Sequence, residues 1–284
     1  MDNFNKDYLF KVCRVHNKKD LDNVISNRAN MIGIHAVILN REEYIENEKK
    51  YSPIFLKDDF DKELPILSLE VESIKNMQKY IPSNIIPVIL FQREMECKKI
   101  IECCEIYDLN IKNMYIQLHH RITENYIENI KKEVCKNVIA VIGAYQTDFK
   151  EYFKFLESKL NENTDYILID MSVHQSNLSN YNDEVDKLEI IENMSKIIEN
   201  NKIPIILAED TNTGNMKKYL DIISNYDINI KGLDMQNSVE KDKTNQKYEL
   251  YKDYDSEYQI KVRKSKKLLR NWKNFFQDNK KYFI

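Results

Sequence analysis

Val138-Ile139-Ala140-Val141-Ile142 and Asp165-Tyr166-Ile167-Leu168-Ile169-Asp170 are two short runs of strand-forming residues, and residues 148–160 between them repeat their apolar positions at helical spacing. Both runs are almost continuously apolar, as strands are when both faces of a parallel sheet are covered. Two parallel neighbours need a crossover, and a helix between them supplies it. The rhythm extends in both directions. Upstream, Leu9-Phe10-Lys11-Val12-Cys13-Arg14-Val15 precedes a helix over 18–29, with Asn17 placed to cap it. Further strands over 31–38, 85–91 and 114–119 precede helices over about 67–80, 94–107 and 123–134. Downstream of Asp170 come a helix over about 185–199, a strand over 203–208, a helix over 213–224 and a strand over 228–235. A charged loop and a basic helix over about 256–276 complete the series.

Eight strand–helix units in 284 residues predict a single α/β domain over 1–284, a (β/α)8 TIM barrel with a long connection over about 40–65. By length alone the chain would divide into about two domains, but ~250 residues make one such barrel. Apolar residues at 42% allow a large core and exclude global disorder. With 43 basic residues against 46 acidic ones, the net charge of −3 gives no reason to expect nucleic acid as partner. No glycine-rich phosphate-binding loop of the dinucleotide or ATP type is present. The N-terminus Met1-Asp2-Asn3-Phe4-Asn5-Lys6-Asp7 is polar, unlike a signal peptide, and no run approaches ~18 apolar residues. Five cysteines, an odd number without paired C-x-x-C spacing, favour a reducing cytoplasm over a disulfide framework.

Active sites of such barrels sit at the C-terminal ends of the strands. Cys13 lies near the end of the first strand and Asp170 ends the sixth, so the two are expected to face each other across the mouth. His16, His35, His119, His120 and His174 all fall at or just after strand ends. A cysteine and a carboxylate there suit proton transfer between adjacent carbons of a sugar. The thiolate would remove a carbon-bound proton, and the carboxyl group would protonate a ring oxygen. Lys11, two residues before Cys13, is expected inside the barrel, lowering the thiol pKa. Cys13 also fits a small buried packing residue, Asp170 a cap, and each histidine a structural or surface role.

Lys11-Val12-Cys13-Arg14-Val15-His16-Asn17 resembles the K-I-C-G-x-T-N opening of the phosphoribosylanthranilate isomerase family of tryptophan biosynthesis. Ala29-Asn30-Met31-Ile32-Gly33-Ile34 is similar to its G-A-D-x-x-G-F, and Ile116-Gln117-Leu118-His119-His120 to its V-Q-L-H-G. Tyr166-Ile167-Leu168-Ile169-Asp170 resembles its L-L-D. Leu207-Ala208 with Asn215, and Leu233-Asp234-Met235 with Val239-Glu240, stand where the family has L-A-G-G-L-x-P-x-N and V-D-V-S-S-G-V-E. The order is kept from about residue 9 to 240. The resemblance implies a cytoplasmic isomerase of amino-acid biosynthesis that converts an aminoaldose phosphate to an aminoketose phosphate without a cofactor. It implies Cys13 as general base and Asp170 as general acid. Lys11, Gln117, His119 and Asp234 would bind substrate, with Arg41 standing for the family's second-loop arginine.

The departures concentrate where the family grips phosphate with glycine-rich loops. Here those loops read Met171-Ser172-Val173-His174-Gln175, Glu209-Asp210-Thr211 and Gln236-Asn237-Ser238. Glu209 and Asp210 would repel a phosphate, so the expectation is weak or absent phosphate binding there and a diverged substrate with a neutral or cationic end. Lys231 or Arg41 swinging in is the alternative. A metal-dependent hydrolase or lyase using His35, His119 and His174 with Asp170, and a non-catalytic ligand-binding barrel, are the competing readings. The expected partner is a small molecule, with no nucleic acid and no membrane, and the chain a monomer or homodimer. The 40–65 connection fits a lid or a surface excursion. Lys261, Arg263, Lys264, Lys266, Lys267, Arg270 and Lys273 read as the solvated face of the last helix, and Cys97, Cys103, Cys104 and Cys135 as helix packing residues.

Overall fold

The computed structural model describes residues 8–15, 17–35, 74–91, 94–171, 183–208, 212–239, 248–253, 256–261 and 264–283. Eight parallel strands close into a barrel in chain order: β1 Leu9–Val12, β2 Met31–His35, β3 Ile86–Phe91, β4 Tyr115–Leu118, β5 Val138–Gly143, β6 Tyr166–Asp170, β7 Ile205–Ala208 and β8 Ile230–Met235. The intervening helices are α1 Lys18–Ser26, α2 Cys97–Ile106, α3 Glu124–Asn129 (continued by a π turn over Ile130–Val134), α4 Phe149–Lys159, α5 Asp183–Ile198 and α6 Thr213–Ile223. Residues 74–78 are helical as well, where the sequence places the end of a helix. The 40–65 connection lies outside the described residues.

Alternation along the strands divides the core in two. Cys13, Met31, Val88, Leu90, Ile139, Val141, Leu168 and Ile206 form the cluster inside the barrel, while Phe10, Val12, Ile32, Ile34, Ile116, Leu118, Ile167 and Ile169 belong to the larger cluster with the helices. That double burial is why the strands read as unbroken apolar runs. Register gives the stagger. From Lys11, the pairings lead through Met31 and Ile86 to position 113 on the extension of β4. The other way, they lead through Asp234, Ala208, Asp170 and Gly143 to position 121. A circuit therefore closes eight residues out of step, the shear of an eight-stranded barrel of this type.

Two glycines are fixed by close approach. A Cβ at Gly232 would stand 1.9 Å from the Leu9 carbonyl oxygen, at the β8–β1 seam where the barrel closes. At Gly33 it would stand 2.7 Å from Cys13 Sγ and 3.0 Å from Leu90 Cδ1, so the missing side chain leaves the thiol its place.

The C-terminal region corrects the expected helix over 256–276. Tyr248–Asp253 (β9) and Ser256–Lys261 (β10) form an antiparallel hairpin, and the helix, α7, runs Lys266–Asp278. Ser265 caps it, accepting from Leu268 N. Its apolar face carries Leu269, Trp272, Phe275 and Phe276 onto the barrel, where Phe276 stacks on Tyr8 at 4.6 Å and packs on Phe10 at 4.9 Å. Lys266, Lys267 and Arg270 are solvated as expected. Lys264 is not: it is fully buried, with its backbone N donating to Asp20 Oδ1 and its ammonium to the Gln236 carbonyl.

Candidate active site

At a shear of eight, residues at one height come from alternate strands. The register places Gly33, Gln117, Leu168 and Asp234 in one interior layer and Cys13, Leu90, Val141 and Ala208 in the next toward the C-terminal ends. The positions of His35, His119, Asp170 and Gln236 make the layer at the mouth. Cys13 continues β1, with its N–H donating to the Met235 carbonyl at 2.9 Å.

Three of these interior groups form a buried cluster. Lys11, with no exposed surface, donates from Nζ to Asp234 Oδ2 and to Cys13 Sγ, each at 2.6 Å. The thiol lies 3.2 Å from the same Asp234 oxygen, and both Cys13 and Asp234 are more than nine-tenths buried. Asp234 Oδ1 is buried and has no hydrogen-bond partner among the described residues. Burial works against the Lys11 charge, but Asp234 and then Cys13 more than restore it, and its pKa lies above the ordinary lysine value. For Cys13 the outcome reverses the expectation. Lys11 does reach the thiol, yet burial, and after it the Asp234 carboxylate, outweigh the ammonium and push the thiol up to about 12. At rest the thiol is thus neutral beside the Lys11 ammonium.

Asp170, the last residue of β6, is half-buried. It shares the inward parity of Tyr166 and Leu168, which pack in the interior cluster. Its register partners are two small residues, Gly143 on β5 and Ala208 on β7. Gln117 is buried to 1% exposure; its amide N lies 2.6 Å from Nε2 of His119, an exposed residue, and its Oε1 has no partner among the described residues. Asp234 is the interior partner of Lys11 and Cys13. His120 packs edge-on against Tyr126 rather than joining these groups, and burial lowers its pKa. Among the described residues no group of three or more His, Cys, Asp or Glu could hold a metal ion. Arg41, His16, His174, Glu209 and Asp210 lie outside the described residues, as does the His35 side chain. Lys231 shares the outward parity of Leu233 and Met235 on β8, away from the interior.

Arg14 is set apart by its backbone. It follows Cys13 directly and has φ 57°, in the left-handed region that side chains other than glycine rarely take. Arg28, Asp108 and Asn200 also have positive φ, but each stands just past the end of a helix, where that conformation is ordinary. Arg14 ends a strand at the barrel mouth. The signal was present in the sequence, since Arg14 occupies the glycine position of the K-I-C-G motif.

Fold and site together define a closed (β/α)8 barrel carrying titratable side chains inside and at its C-terminal mouth. Neither a family model nor a curated protein sequence matches the chain. Solved structures do. Phosphoribosylanthranilate isomerase from Thermotoga maritima superposes with a TM-score of 0.57 at 14% identity, over 96% of this chain and 98% of that one. The same enzyme from Thermococcus kodakaraensis gives 0.51 at 16% identity, over 82% and 90%. A phosphoribosylanthranilate isomerase in complex with reduced 1-(o-carboxyphenylamino)-1-deoxyribulose 5-phosphate gives 0.54 at 13%, over 95% and 99%. The chain has the fold of these proteins. No helix among the described residues is long and apolar enough to cross a membrane.

Proposed function

We propose that the protein is a cofactor-free aldose–ketose isomerase of the phosphoribosylanthranilate isomerase type, diverged in substrate. The carrying observation is the Lys11–Cys13–Asp234 cluster, set inside a barrel of that fold with Asp170 on the opposing wall at the mouth. In this reading Cys13 takes the proton from the carbon beside the imine-forming carbon, and Asp170 delivers a proton to the ring oxygen as the ring opens.

A thiol held near 12 is a poor resting base, and the cluster offers a way round this. Cys13 can pass its proton across 3.2 Å to Asp234 Oδ2 while Lys11 touches both atoms. The ammonium neutralises carboxylate in one arrangement and thiolate in the other, so a strong base forms without a change in net charge. Gln117 and the free oxygen of Asp234 are left as acceptors for substrate hydroxyl or amine groups.

The test is turnover of the fluorescent aminoaldose phosphate, N-(5′-phosphoribosyl)anthranilate, by the purified protein. Cys13→Ser and Asp170→Asn should each lower kcat by about 10²–10⁴-fold, the usual worth of a positioned acid or base. Turnover indifferent to both changes would overturn the reading, as would absence of turnover with both this compound and its dephosphorylated form.

A further inference from the structure

We infer that Arg14 is the oxyanion-binding residue of this site, taking the phosphate or carboxylate group of a small ligand at the end of β1. The inference rests on the proposed active site for its location, but not on the reaction. Among the described residues Arg14 has the one positive-φ backbone that no helix end explains, and it is joined by a peptide bond to the cysteine of the buried cluster. An arginine in the left-handed region is costly, and such backbones persist at ligand-binding sites where the side chain they present is needed.

The charges around Arg14 favour an incoming anion. Its side chain is half-buried, and no hydrogen bond or ion pair to it occurs among the described residues. The two buried lysines among the described residues are committed elsewhere. Lys11 is held by Asp234 and Cys13, and Lys264 donates to the Gln236 carbonyl. A guanidinium that is partly shielded from water and unmatched by a carboxylate among the described residues is suited to a bidentate bond with a planar or tetrahedral oxyanion. From that position it would hold the charged end of a ligand beside Cys13, at the end of β1.

The experiment measures anion binding and thermal stability in parallel, at low ionic strength where such contacts are not screened. Inorganic phosphate, ribose 5-phosphate and benzoate are titrated against the full chain, Arg14→Gly and Arg14→Lys. At least one probe should bind the unaltered protein with a millimolar or tighter Kd, phosphate and its ester pointing to one source of the oxyanion and benzoate to the other. Arg14→Gly should weaken that binding tenfold or more while raising Tm by roughly 2–4 °C, because glycine relieves the backbone. Arg14→Lys should fall between, keeping the charge without the fork. The inference is overturned if none of the three probes binds, if Arg14→Gly binds as well as the parent, or if Arg14→Gly loses binding and Tm together, since that marks a structural arginine. These outcomes are separate from turnover. Anion binding through Arg14 without isomerisation would sink the isomerase reading alone, and isomerisation with KM unchanged in Arg14→Gly would sink this one alone.

Discussion

At the residue scale the site depends on which neighbour wins control of one thiol. Alternation along β1 puts Lys11 and Cys13 on one face, and that much is legible in the string K-V-C. The direction of the Cys13 shift is not legible there, because it is set by burial in the closed barrel and by a carboxylate 221 residues away. Burial and Asp234 raise the thiol pKa and Lys11 lowers it. Asp234→Asn deletes a raising influence and releases Lys11 to act on sulfur alone, so the thiol pKa should fall from about 12. The rate of Cys13 alkylation by iodoacetamide at pH 8 should then rise at least tenfold, and its pH profile should shift to lower pH. Lys11→Met deletes the lowering influence, and alkylation at the same pH should slow. An unchanged profile in Asp234→Asn would show that the carboxylate does not control the thiol. Gly33→Ala belongs to the same scale. The added methyl meets Cys13 Sγ at 2.7 Å between packed walls, and the overpacking should cost about 1–3 kcal/mol, read as a lower midpoint in urea unfolding.

At the element scale most units were readable because their strands are buried on both faces and their helices have an apolar stripe. Asn17, Thr123 and Ser265 each accept a hydrogen bond from a backbone N–H in the first turn of the helix they precede. The miss came at 248–261. There tyrosine, leucine and isoleucine alternate with charged and polar residues, Tyr248-Glu249-Leu250-Tyr251-Lys252-Asp253 and Ser256-Glu257-Tyr258-Gln259-Ile260-Lys261, a strand pattern whose first half reads as a charged loop and whose second half merges into the helix that follows. Lys264 was lost in the same way, as one more cation in a basic run, since its burial depends on Asp20 and Gln236 rather than on its neighbours in sequence. The seam between β8 and β1 is the element contact with least tolerance. Gly232→Ala would drive a methyl to within 1.9 Å of the Leu9 carbonyl oxygen, a collision with backbone rather than with a yielding side chain. Loss of several kcal/mol is expected, more than for Gly33→Ala. Chemical denaturation of the two variants side by side checks the order.

For the whole molecule, closure matters more than any single strand. The barrel has no free edge only while β8 stays paired with β1, and α7 covers that seam from outside. Phe276 is fully buried there, stacked on Tyr8 and packed on Phe10 and Phe283, while Trp272 and Phe275 extend the same face. Eight strand–helix units made the barrel legible without any of this, because the rhythm of the chain alone reports the architecture. What the rhythm could not report is that the last helix arrives after a hairpin. Phe276→Ala removes the ring that Tyr8, Phe10 and Phe283 share and should cost about 3–5 kcal/mol. The loss should appear throughout the barrel, not at its end alone, because an opened seam leaves β1 and β8 as unpaired edges. Hydrogen exchange followed by mass spectrometry makes the distinction. Faster exchange in β4 and β5, diametrically across from the substitution, is expected together with faster exchange in β1 and β8. Acceleration confined to α7 would show that the helix is an appendage and that closure is secured by the strands themselves.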